Sequence, residues 1–242
     1  MMKSILPFAL LMLSMAVQAS TALPEPFTAT YNLRLGDLHI AKMERRLMPL
    51  GKGRYIFRSE TKPTGLLALF HRDRIVEESV WTLKDEEARP LEYTYQRSGG
   101  LKKQDVAIHF DWERGLIESQ SGDNPWQMAI VPHILDKLLY HWVAMRDLEK
   151  DSDKEQFEYQ VADGGRIKIY RFNRLGEETL TTPFGRFETL KFKRSRDDDD
   201  KRFSTLWCAP ALHYLPVRVD HKEKDGSIIT AELETLSGLT HK

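Results

Sequence analysis

The chain has 242 residues, 41% of them hydrophobic and 30% charged, with 36 basic side chains set against 36 acidic ones. Apolar and aromatic residues are spread along the whole length, which excludes a disordered polymer, and the balanced charge excludes a general nucleic-acid binder. A single cysteine, Cys208, excludes an intramolecular disulfide and a cysteine-rich metal site.

The first 19 residues differ from the rest. Met1-Met2-Lys3 is a short positive start, Ile5 to Val17 is an apolar run interrupted by Pro7, and Val17-Gln18-Ala19 ends in the small residues that a signal peptidase reads. The pattern predicts a secretory signal peptide over 1–19, cleaved after Ala19. The run is shorter than the roughly 20 apolar residues of a bilayer span. No second long apolar stretch follows, so the mature chain is expected to have no transmembrane segment and to form a single β-rich domain over 20–242.

From there, period-2 alternation dominates. Tyr31, Leu33 and Leu35 alternate with polar neighbours, as do Val106, Ile108, Phe110 and Trp112, then Phe157, Tyr159 and Val161, then Leu215, Val217 and Val219. Each pattern is that of a half-buried antiparallel strand. Further strands are expected near 38–48, 54–62, 74–83, 91–97, 165–173, 186–194, 202–208 and 227–236. Turn signals such as Gly51-Lys52-Gly53, Ser98-Gly99-Gly100 and Asp225-Gly226 separate them. Between the two sets, Ile134, Leu135, Leu138, Leu139, Trp142, Val143 and Leu148 recur at three- and four-residue spacing, which predicts a helix of about four turns over 132–148. Pro132 suits its first turn and Asp136 is the alternative start. His133 and His141 fall on its polar face. A shorter helix is expected at Thr64–Phe70. The plan is mainly β: a curved antiparallel sheet or open β-barrel wrapped over one long helix.

No catalytic frame stands out: G-x-S-x-G, H-E-x-x-H and the P-loop are all absent. Cys208 reads as a small buried residue, and the carboxylates Glu77-Glu78 and Asp85-Glu86-Glu87 as surface charge. The run "RDDDDKR" (196–202) lacks the alternate ligand spacing and the glycine of a calcium loop. It reads as a solvated hairpin tip whose aspartates are balanced by Arg194, Arg196, Lys201 and Arg202. No cofactor and no metal are expected.

The stretches "TTPFGRFETLKFKR" (181–194), "WCAPALHYLPVRV" (207–219) and "DGSIITAELETL" (225–236), with "PLEYTYQRSG" (90–99), "FDWERG" (110–115) and "DKLLYHWVAMR" (136–146), resemble the bacterial envelope family catalogued as domain of unknown function 3108. The resemblance covers nearly all of the mature chain and implies a secreted, periplasmic, β-rich protein with no established activity. Beyond it lies a looser, fold-level likeness to periplasmic lipoprotein carriers of the LolA and LolB kind, half-open barrels whose apolar hollow is plugged by helices. Fold alone does not give function.

Two readings follow. One is a non-enzymatic periplasmic binding or carrier protein for a lipid or acyl-bearing ligand. Its hollow would be lined by Trp81, Phe110, Trp112, Trp142 and Trp207, with Arg218 at the rim and Leu67 and Phe70 forming a lid opposite Trp142. The other is an envelope structural or protein-interaction module in which the same aromatics fill a packed core. A hydrolase with a site assembled from distant residues ranks third.

Overall fold

The computed structural model describes residues 24–65, 68, 73–100, 103–119, 125–197 and 199–239. The strands expected from alternation form, and more besides: β1(Phe27–Leu35), β2(Leu38–Gly51), β3(Arg54–Pro63), β4(Arg74–Lys84), β5(Glu87–Ser98), β6(Gln104–Asp111), β7(Leu116–Ser119), β8(Trp126–Ala129), β9(Leu135–Asp136), β10(Gln156–Ala162), β11(Ile167–Thr182), β12(Gly185–Arg196), β13(Asp199–Ala209), β14(Leu215–Lys222) and β15(Ile228–Ser237). All belong to one sheet, in the order β8-β7-β6-β5-β4-β3-β2-β1-β15-β14-β13-β12-β11-β10-β9. The chain thus builds one meander outward from β1 to β8. It then crosses to the far edge and builds a second meander inward from β9 to β15. The two meanders join where β15 pairs antiparallel with β1. The short β9 runs parallel to β10.

Burial follows the alternation. Phe27, Ala29 and Tyr31 of β1, Tyr55 and Phe57 of β3, Phe157 and Tyr159 of β10, and Leu190 and Phe192 of β12 all face one buried interior. The sheet curls around that interior but does not close into a barrel, because its edges β8 and β9 share no strand pairing. Side chains bridge the two halves instead. A Cβ at Gly165 would lie 3.3 Å from the indole of Trp126 on β8, a tight fit, and its φ of +80° also favours glycine. The Ser79 hydroxyl of β4 donates to Asp136 of β9 at 2.5 Å.

The long helix is corrected to a short one. The helix of this segment is α1(Leu139–Lys150), 12 residues. Pro132 to Leu138 is not helical: His133 has φ +57° and β9 occupies Leu135–Asp136. The cause is Asp136, whose carboxylate accepts the backbone N–H groups of Leu138 and Leu139 at 2.8 Å each. First-turn donors have no partner inside a helix, and a buried carboxylate that takes two of them fixes the entry point. The apolar spacing upstream of Leu138 reflects real burial, since Ile134 and Leu135 are buried, but in extended chain passing across the interior. Of the shorter expected helix at Thr64–Phe70, most lies outside the described residues.

The 196–202 tip is a hairpin end between β12 and β13, as its flanks predicted, but it is stitched rather than merely solvated. Asp197 accepts the Ile169 N–H of β11 on its side-chain Oδ1 and donates its own backbone N–H to the Ile169 carbonyl. Asp199 accepts from Arg196 and Arg202.

Candidate functional site

The structure divides the aromatic residues singled out in the sequence. Trp81 is fully buried on β4, between the ring of Tyr55 at 4.9 Å and that of Trp142 on α1 at 4.5 Å. Arg146, one turn on, lies 5.6 Å from the centroid of Trp142. These rings are brought together as packed core. Phe110 is buried on the inner face of β6, whereas Trp112 lies just past that strand, donating to the Pro90 carbonyl at 2.7 Å beneath the guanidinium of Arg89. Trp207 and Arg218 are neighbours, but on the convex face. Leu206 and Cys208 point at α1, while Trp207 lies between Lys191 and Arg218 and donates to Glu178. Arg218 is itself held by Asp220. Leu67 and Phe70 lie outside the described residues.

Different residues assemble at the end of the interior that α1 does not fill. There the inward-facing positions change from buried to half-buried: Leu33 on β1, Met43 on β2, Tyr95 on β5, Val106 on β6 and Val219 on β14. Arg45 and Arg194 occupy inward positions of β2 and β12, in phase with Met43 and Leu47 and with Leu190 and Phe192. Arg45 lies over the Tyr31 ring at 6.0 Å. Arg194 donates to the hydroxyls of Tyr140 and Ser204, at 2.9 and 3.0 Å, and lies over the ring of Tyr170. Neither arginine forms an ion pair among the described residues, and the Nε of each is sealed from solvent without an acceptor. His141, expected on a wet helix face, is half-buried and stacks on the Tyr140 ring at 4.1 Å. Burial, and then the positive charges of Arg45 and Arg194, hold its pKa well below the ordinary histidine range. The phase of Arg45 and Arg194 within apolar alternation was the available signal in the sequence: a charge at an inward strand position is rarely idle.

Beside this lies a buried polar network. Glu77, expected at the surface, accepts the Tyr93 hydroxyl at 2.6 Å. Asp136 is fully buried, and burial pushes its pKa up to about 6 despite the bonds from Ser79 and the first turn of α1. Asp163 accepts from Lys168 and Tyr170. Burial works against its ionisation, but Lys137, Lys168 and Arg196 outweigh that, and its pKa is lowered. Burial alone pushes the Cys208 thiol up to about 12, the opposite of a nucleophile's setting.

Where α1 meets the second meander the interior is tightly packed. The gap bounded by Tyr140, Met145, Phe172, Cys208 and Pro216 holds about 10 Å³, at the limit for one water. A wider, open groove of about 470 Å³ runs between α1, the β4–β5 turn and β10. Its charges are largely engaged, Glu86 by Arg146 and Lys150 and Glu87 by His133. Among the described residues, no group of three or more His, Cys, Asp or Glu is arranged to hold a metal ion, and no helix is long and apolar enough to cross a membrane.

Comparisons place the architecture. The family model described as "Protein of unknown function (DUF3108)" matches residues 27–234. A β-barrel-like protein of the domain of unknown function DUF1849 from Brucella abortus superposes with a TM-score of 0.57 at 10% identity, over 90% of this chain and 99% of that one. A protein from Parabacteroides distasonis, provisionally described as a lipoprotein, aligns at TM-score 0.33 and 12% identity, over 88% of this chain and 96% of its own. At these identities the first likeness speaks to fold alone and the second carries no argument. No curated protein matches the chain.

Proposed function

Since the chain belongs to the DUF3108 family, whose description assigns no activity, its own geometry has to supply the reading, and we propose a non-enzymatic, exported binding or carrier protein for a lipophilic, acyl-bearing ligand. The proposal includes export to the periplasm by residues 1–19, with cleavage after Ala19. One observation carries it: both meanders turn apolar side chains inward that are only partly buried at the edge of the core, Leu33, Met43 and Val219 among them. A packed core leaves no such ring, whereas an apolar chain entering there would complete its burial, at about 25 cal/mol per Å² removed from water.

The test is mass spectrometry of an organic-solvent extract of the protein purified from the bacterial envelope. An acyl-bearing species near one per chain is expected, and intact mass of the same preparation should begin at Ser20. An extract without lipid, together with no binding of a polyene fatty acid added to the purified protein, would overturn the reading. The tight packing under α1 favours the second reading, an interaction module. In that case the exposed Leu35, Leu38 and Ile228, at the neighbouring β1–β2 and β14–β15 turns, would lose solvent exposure on adding a protein partner and not on adding lipid.

A further inference from the structure

The inner face offers donors without acceptors. Five buried side-chain nitrogen or oxygen atoms lack a hydrogen-bond partner among the described residues, and three of them are N–H groups on inward positions: Trp81 Nε1, Arg45 Nε and Arg194 Nε. Native interiors leave few such groups; here the sealed Nε atoms belong to half-buried arginines whose charge no carboxylate offsets. The surface arginines of this protein are treated differently. Arg58, Arg74, Arg97, Arg171 and Arg218 each have a carboxylate. Arg45 and Arg194 have only rings and neutral hydroxyls around them. The nearest inward carboxylate in strand register is Glu77, two strands from Arg45 through Ser59, and the Tyr93 hydroxyl already engages it.

We propose that Arg45 and Arg194 bind the anionic head of an amphiphile, a carboxylate or a phosphate, whose apolar tail lies toward Leu33, Met43 and Val219. The inference rests on the lipophilic-ligand reading and deepens it by naming the charge of the ligand and the residues that meet its head. The chemistry suits the residues. A guanidinium keeps its charge at any accessible pH and meets a carboxylate or phosphate with paired N–H donors. His141, neutral beside both arginines, supplies a further ring nitrogen and regains basicity once an anion offsets their charge. Nothing is transferred and no bond is made or broken, so the site is one of binding.

The experiment compares cis-parinaric acid with its methyl ester by fluorescence titration of the full mature chain at pH 7.4. The acid is expected to bind about 10- to 100-fold more tightly than the ester, the range of one or two charge-assisted hydrogen bonds. Arg45→Gln and Arg194→Gln are each expected to weaken the acid at least about 10-fold while leaving the ester unchanged, with Arg45→Lys intermediate. Displacement of the bound acid by laurate alone assigns a carboxylate head, and displacement by lysophosphatidylglycerol alone assigns a phosphate. Displacement by neither overturns the proposal. Equal affinity for acid and ester in the wild type also overturns it, while leaving the lipophilic-ligand reading standing. Binding of neither probe removes both. The wild-type ratio decides the matter even if a glutamine variant fails to fold.

Discussion

Asp136 shows how one residue can do structural work at a standing cost. Its carboxyl sets the start of α1 and ties β9 to Ser79, yet burial lifts its pKa from 3.8 to about 6. Between those two values the folded chain holds a proton that the unfolded chain has released. This group's contribution to stability is therefore full below about pH 4, falls as pH rises toward 6 and stays low above it. The shift corresponds to about 3 kcal/mol. Asp136→Asn keeps an acceptor for Leu138 and Leu139 and abolishes the titration. In urea unfolding the variant should exceed wild type by up to about 3 kcal/mol at pH 7.5 and match it near pH 4. Carboxylates such as Glu60, lowered to about 2 by Arg74 and Lys62, impose the opposite trend on the whole protein, so the difference between variant and wild type is the quantity to follow. A variant weaker at both pH values would mean that the ionised carboxylate is required.

At the scale of elements, α1 is held by its aromatic face. Trp142 lies on Trp81, which in turn stacks on Tyr55, and Tyr140 packs edge-on against Tyr170 at 5.0 Å. Trp142→Ala removes the only ring that α1 presents to β4 and leaves a void where the tightly packed surroundings cannot collapse. The expected loss is about 3–5 kcal/mol in denaturant unfolding, with the strand signal in circular dichroism retained. A loss under about 1 kcal/mol would show that the helix sits loosely in the sheet. The alternating segments were legible in the sequence because period 2 needs only local pattern. β7 and β8 were not, since four residues each give too few alternations. The start of α1 was misplaced because helical spacing and an extended buried run both read as apolar. Of the proposed head-group site, Arg45 and Arg194 were present in the alternation as charges at inward phase. That both belong to one curved sheet, on β2 and β12, is a long-range fact that no local pattern records.

For the whole molecule, the continuity of the sheet depends on one junction. The two meanders share strand pairing only at β1–β15, where Thr28 meets Ser237 and Leu35 meets Ile229. Deleting residues 228–242 should therefore abolish cooperative unfolding altogether, rather than lower its midpoint, as read by tryptophan fluorescence in urea. A truncated chain that melts in one transition near the wild-type midpoint would show that the meanders fold independently. The same junction also has a meaning in time. A chain emerging N-terminus first, from a ribosome or through a membrane pore, delivers β1 at the outset and its second neighbour at the very end. Pairings between residues so far apart in sequence form slowly and late. Until β15 is available, the second edge of β1 stays unpaired, and the continuous sheet is completed only when that junction forms.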